Sequence, residues 1–338
     1  MLATSARRRR LERAHDAPPP PSDGPASLRV AVLMGGPGSE REVSLRSGQA
    51  VVGALAERGH RAEAWVLEGD RDEALDLLPR ELDVVFLALH GEYGEDGRVQ
   101  RALEARGRVY TGSGPGASAR AWDKLRTKVT LAAAGVPVAG HLVVPFPLGP
   151  RDVLHAVRAT DRFPVVVKPV RQGSSVGVVV CRDRGQLARA LEENARFGQP
   201  QLVEDFVPGH ELTCGVLDGV ALPVVEAVAA GGHFDYRAKY DKSAGTLYRV
   251  DPPSIPAEVR AAVQAAALRA HDALGCADLS RTDFRWDPAT GRLAALETNT
   301  LPGMTATSLL PKAAAAAGLP FPALCERICR LALRSAAR

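Results

Sequence analysis

The amino-acid sequence predicts an α/β protein whose first folded segment is a doubly wound parallel sheet. Three observations lead there. Strand-length apolar runs ("LRVAVLM", "RAEAWVL", "DVVFLAL") alternate with helical patterns, as in a sheet covered on both faces. Gly-rich, charged loops follow the first and third runs, at the strand ends where such sheets gather ligands. The chain has 338 residues, 46% of them hydrophobic, which is enough for about two domains or more with substantial cores.

Taken in order, the first strand run leads into a helix from about residue 44 to 58, and a short helix near 70–78 precedes the third run. The loop "GGPGSERE" lacks the G-x-G-x-x-G spacing of a dinucleotide loop and carries Glu40 and Glu42 where a pyrophosphate is met by backbone N–H groups. Glu40 reads as a ligand for a cation such as a substrate ammonium, or equally as a carboxylate favoured by a helix macrodipole. His90, in "HGEYGEDG", is a site residue or an ordinary loop histidine.

A second segment runs from about 121 to 204. "WDKLRTKVTLAAAGVPV" is a helix with Lys124 and Lys128 one turn apart, stopped by Gly135 and Pro137. Strand, turn and strand follow ("VVVKPV", "RQGSSVG", "VVVCRD"), then the helix "RGQLARALEENARF" and the strand "PQLVED". A lysine at the end of a buried valine strand is strongly hydrated and demands an anion. The loop after it offers backbone N–H groups, Ser174 and Ser175 without bulk, either as a flap over phosphates or as a plain hairpin turn.

The third segment, from about 207, favours the flap. "RTDFRW" and "LAALETN" read as neighbouring strands. Residues two apart share a face, so Asp283 stands beside Arg281 and Asn299 beside Glu297. Two carboxylates and an amide are hard oxygen donors suited to magnesium that also binds nucleotide phosphates. Salt bridging of Asp283 by Arg281 is the alternative.

Other classes are excluded. Residues 1–26 hold an arginine run and a proline run but no apolar core of a secretory signal, and read as a disordered tail. The tail's Arg7, Arg8, Arg9, Arg10 and Arg13 account for part of the net charge of +4, which leaves the body near neutral and without the basic stripe of a nucleic-acid binder. No stretch reaches the roughly 18 apolar residues of a membrane span. The cysteines, five in number, lack metal-type pairs, and a reducing cytoplasm is the expected setting.

The motifs "GGPGSEREVSLRSG", "ALHGEYGEDGRVQ", "YTGSG", "WDKLRTK", "VVKPVRQGSSVG", "FDYRAKY" and "ETNTLPGMTATSLLP" together resemble the D-alanine–D-alanine ligase family of the ATP-grasp superfamily, from about Leu28 to the final helix. The resemblance implies an ATP-grasp fold after the N-terminal parallel-sheet domain. It divides the chain into a tail (1–26), a substrate-binding domain (27–120), a central subdomain with the phosphate lid (121–206) and a C-terminal subdomain (207–338). It implies ATP-dependent ligation of two D-alanines through an acyl phosphate, for peptidoglycan precursor synthesis, by a cytoplasmic homodimer that binds neither nucleic acid nor membrane.

The same resemblance implies roles. Glu204, Asp205, Phe206, Val207 and Glu211 hold adenosine, while Lys124, Lys168 and Lys239 hold phosphates with Ser174 and Ser175 in the lid. Asp283, Glu297 and Asn299 coordinate two Mg2+ ions, with Mn2+ as a substitute and K+ as an activator. Glu40 binds the first D-alanine's ammonium with His90 nearby. Arg281 and the Gly303 N–H stabilise the oxyanion, and Ser308 with Leu309 receives the second carboxylate. Ser174, Tyr240 and Glu40 latch the lid. Tyr240 speaks against D-lactate as second substrate, and Glu40 with "NTLPGMT" exceeds what other ATP-grasp enzymes require. A regulatory module without chemistry predicts gaps that the sequence lacks. Thr298, Leu301 and Gln172 stand where the family varies.

Overall fold

A computed structural model of the protein describes residues 27–38, 40–228 and 246–336. The N-terminal tail, "FDYRAKY", Lys239 and Tyr240 lie outside the described residues.

The first sheet holds β1 (Arg29–Gly35), β2 (Arg61–Leu67) and β3 (Val84–Leu87) in the order β2-β1-β3, all parallel, with α1 (Arg41–Glu57) as the crossover. The expected short helix near 70–78 is a 3-10 turn at Asp72–Leu77, and α2 (Arg98–Glu104) follows β3. The period of two divides β1 between two cores. Val30, Val32 and Met34 pack with Val51 and Leu55 of α1, whereas Ala31 and Leu33 pack with Leu75, Leu78 and Leu103.

Two helices, α3 (Pro115–Trp122) and α4 (Lys124–Ala133), lead onward, with Asp123 capping α4 through the Arg126 N–H. The second sheet has β4 (His141–Val144), β5 (Val165–Pro169), β6 (Val179–Cys181) and β7 (Gln201–Asp205) in the antiparallel order β4-β7-β5-β6. The helices α5 (Pro150–Ala159) and α6 (Arg184–Asn194) cover it over a core that includes Val165, Val167, Leu187 and Leu191.

The third sheet is also antiparallel, in the order β11-β10-β8-β12-β13 with β9 on β8: β8 (His210–Leu217), β9 (Val220–Ala221), β10 (Val225–Val228), β11 (Leu247–Val250), β12 (Leu279–Trp286) and β13 (Leu293–Asn299). Helix α7 (Ala257–Leu274) packs on it. Ala121, Leu131 and Val136 enter this core too, so the helix carrying Lys124 and Lys128 packs with the third segment although sequence order groups it with the second.

The chain closes with α8 (Leu309–Ala316) and α9 (Phe321–Ala336). Leu310, Leu324, Ile328 and Cys329 return to the first sheet and join Val30, Val32 and Val51. Each such fully buried aliphatic side chain is worth about 1.5–3 kcal/mol, which ties the chain's last helix to its first strand. Among the described residues no helix is long and apolar enough to cross a membrane.

Candidate active site

Loops from all three sheets border one cleft of about 650 Å³. Glu40 enters it from the start of α1, His90 from the loop after β3, Gly173 and Ser174 from the loop between β5 and β6, and Arg281, Glu297 and Asn299 from β12 and β13. Gly303, Ser308 and Leu309 come from the stretch leading into α8.

The Glu40 side chain, at the N-cap of α1, makes no cap hydrogen bond to that helix. Instead Ser174 donates its hydroxyl to the Glu40 carboxylate across the cleft. Two glycines make room for that carboxylate. A Cβ on Gly173 would overlap Glu40 Oε2, and one on Gly91, whose φ is +71°, would lie 2.6 Å from it. Ser174 and Ser175 themselves hold left-handed φ of 51° and 59°, strain of order 1–3 kcal/mol that clusters at ligand clamps and switch loops.

His90 is buried and anchored. Its Nε2 lies 3.1 Å from the Ser47 hydroxyl, which also accepts from the Met304 N–H at 3.4 Å, and its Nδ1 is 3.7 Å from Glu95. Ser47 and Glu95 were not picked out by sequence reasoning. Their signal was weak: Ser47 follows Ser44 by one turn on α1, and Glu95 sits in the same charged loop as His90.

On the third sheet, Asp283 pairs directly with Glu297 and Arg281 with Asn299, so all four side chains share one face as expected. Arg281 forks Asp283 at 2.8 and 2.9 Å, the salt bridge weighed as an alternative to metal, and Thr213 donates to the same carboxylate at 2.6 Å. The Lys124 ammonium lies 3.3 Å from Glu297 and donates to the Gln172 carbonyl at 2.6 Å, joining the acids to the Ser174 loop. Among the described residues no three His, Cys, Asp or Glu side chains cluster as a metal cage. The donor set nonetheless fits magnesium: two facing carboxylates and an amide oxygen leave the remaining positions to nucleotide phosphates and water.

The Lys168 ammonium lies 2.8 Å from Glu204, with Lys128 at 3.2 Å on the same oxygen. The register explains this. Val166 faces Glu204 across β5 and β7, so Lys168, two residues on, is the diagonal neighbour on that face. Glu204, expected at the adenine or ribose edge, also bridges these two lysines. Burial pulls the Lys128 pKa below its ordinary value, while Glu204 opposes that shift. Lys128 had shown itself in the sequence only as the helical neighbour of Lys124.

Beyond β7 the chain crosses to the third sheet through Asp205, Phe206 and Val207. The Asp205 N–H bonds to Gly140 and its carboxylate to Arg292. Arg285, absent from the sequence reading, organises the crossing. It lies over the Phe206 ring at 5.6 Å, donates to the Val207 and Gly209 carbonyls at 3.0 Å, and reaches Glu211 at 3.4 Å. Among the described residues the Val207 N–H has no hydrogen-bond acceptor. At the far side of the cleft the Ser308 hydroxyl contacts Thr305, accepting its N–H at 3.2 Å and lying 2.8 Å from its Oγ1.

The chain is similar to known proteins over most of its length. A family model described as "D-ala D-ala ligase C-terminus" matches residues 131–330, and one described as "D-ala D-ala ligase N-terminus" matches residues 64–113. The D-alanine–D-alanine ligase of Acidiphilium cryptum is 46% identical over 301 residues, 88% of this chain and 96% of that protein. That of Gluconobacter oxydans is 46% identical over 310 residues, covering 90% and 99%. Among solved structures, the Bacillus anthracis D-alanine–D-alanine ligase complexed with ATP superposes with a TM-score of 0.79 at 31% identity, over 92% of this chain and 99% of that one. The Enterococcus faecalis VanG D-Ala:D-Ser ligase gives 0.77 at 26% identity, over 90% and 99%.

Proposed function

The chain belongs to the D-alanine–D-alanine ligase family and performs ATP-dependent ligation of two D-alanines; we propose that it does so through an acyl phosphate formed and consumed in the cleft described above. The observation that carries this reading is the Glu40–Ser174 contact, which closes the glycine-bordered loop over a cleft also bounded by Arg281, Gly303 and Ser308.

Two anions, a carboxylate and a triphosphate, must approach for the first step, and their repulsion is offset by fixed positive charge in a site that excludes water. Glu40 takes the ammonium of the first D-alanine and His90, held by Ser47, borders it. Arg281 and the Gly303 N–H meet the oxygen that gains charge as the acyl carbon becomes tetrahedral. Lys124 and Lys168 face the phosphates. The Val207 N–H is the open donor for the adenine edge, beside the Arg285-supported Phe206, with Glu204 at the ribose or amino edge and Glu211 on the ribose. Asp283, Glu297 and Asn299 would hold Mg2+, which when bound neutralises phosphate charge.

The loop 171–177 is the lid. Water reaching an acyl phosphate would hydrolyse it, so closure precedes chemistry. Ser174 and Glu40 latch it, with Tyr240 and Lys239 assigned to latch and phosphate by resemblance. The second D-alanine, its carboxylate at Ser308 and Leu309, attacks with its free amine and phosphate leaves. The segments 27–120, 121–206 and 207–338 serve as substrate, lid and metal-bearing units. A cytoplasmic homodimer supplying peptidoglycan precursor, activated by K+ and tolerant of Mn2+, rests on family resemblance. Purified protein with ATP, Mg2+ and D-alanine releases ADP in step with dipeptide on this reading; ADP without dipeptide, or neither, contradicts it.

A further inference from the structure

Helix α8, "LLPKAAAA", carries a single charged residue, Lys312. Ser308 is its N-cap, so Lys312 is the fourth helical residue and lies one turn from Ser308 on the same face. A cation so near the positive end of the helix dipole is unfavourable on its own, and the first turn has no acidic side chain to offset it. Both features call for an anion from outside the helix.

The cleft supplies a second, independent reason. Lys312 lines it together with Glu40, Arg281, Gly303 and Ser308. Its ammonium stands 5.7 Å from the centre of the Tyr248 ring, another wall residue, which positions the charge without neutralising it. Among the described residues of the wall, Lys124 and Arg281 are each committed to a carboxylate, whereas Lys312 has none within ion-pair distance. Arg46, also without a carboxylate partner among the described residues, is solvent-exposed on α1.

We propose that Lys312 is a specificity-determining residue for the acceptor amino acid. Its ammonium takes the acceptor carboxylate jointly with the N–H groups that begin α8. This rests on the ligase reading and extends it to a residue that the family resemblance did not assign.

The test compares two acceptors, D-alanine and D-alaninamide, the second lacking the negative carboxylate, each mixed with D-alanine as donor. K312M raises the acceptor KM for D-alanine by about tenfold or more, the size expected for a lost charged hydrogen bond. With D-alaninamide the same variant stays within about twofold of the parent, and the KM for ATP does not move in either case. K312R restores most of the D-alanine affinity, and K312Q repeats the comparison should K312M fail to fold. Unchanged acceptor KM, or equal losses with both acceptors, overturns the proposal. Absence of any dipeptide with the parent protein overturns the ligase reading itself.

Discussion

Glu204→Gln probes the charge arrangement on the nucleotide side. The substitution preserves shape but deletes the carboxylate that lies 2.8 Å from Lys168 and 3.2 Å from Lys128, whose side chains are only 7% and 1% exposed. Removing one partner of a buried pair costs about 3–5 kcal/mol, and here two buried ammoniums lose the same anion. The deficit has a definite pH dependence. Burial already holds the Lys128 pKa below 10.5, with Glu204 as the largest opposing influence, so the variant lowers it further. A lysine whose folded pKa lies below its unfolded value binds fewer protons folded than unfolded in the window between the two. Stability therefore rises with pH across that window and is lost as pH falls. The variant's deficit relative to the parent is largest near neutrality and shrinks toward about pH 10. Urea unfolding followed by far-UV circular dichroism at about pH 7 and about pH 9.5 measures it. A deficit under about 1 kcal/mol at neutrality, or one that does not change with pH, would refute the view that Glu204 is the shared counter-ion of two charged lysines.

Ser174→Ala removes the hydroxyl that reaches Glu40, so the lid closes less often; phosphate release per dipeptide rises above one as activated donor leaks to water, while the melting temperature stays within about 2 °C. Asp283→Asn takes one carboxylate from the metal donor set and shifts the Mg2+ requirement for half-maximal activity upward by about tenfold, whereas an unchanged requirement would place the ion elsewhere. His60 and His271 are buried, and burial is the main cause lowering both pKa values, so the unfolded chain takes up protons first and stability falls as pH drops below about 6.5. Urea midpoints at about pH 7.5 and about pH 5.5 report this slope, which His271→Asn flattens if the assignment is right.

The segment order and the chemistry of the cleft were legible because they follow from local rules. Val165 and Val167 are buried on one face of β5 while Val166 on the other is half-buried, and Asp283 shares a face with Arg281, and Glu297 with Asn299, because strand residues two apart point the same way. Long-range pairing was not legible. That Lys168 needs an anion follows from its hydration, but that Glu204 supplies it depends on the register of β5 against β7. Nothing in the sequence said that Leu324 and Ile328 of α9 would pack in one core with Val30 and Val32 of β1, near the other end of the chain. The same limit applies to α4, whose Leu131 faces the third sheet rather than the second. Arg285 escaped notice because its role is to hold backbone carbonyls, which no spacing of side chains reveals.

The central claim is that residues from three sheets converge on one reacting complex. A crystal structure with an ATP analogue and a phosphinate mimic of the dipeptide tests it most directly. The account predicts Glu40, Arg281 and Ser308 around a single inhibitor, with Asp283, Glu297 and Asn299 on the metal side of its phosphoryl group. An inhibitor that touches only one of the three segments, or binds outside the cleft beneath Ser174, would contradict it.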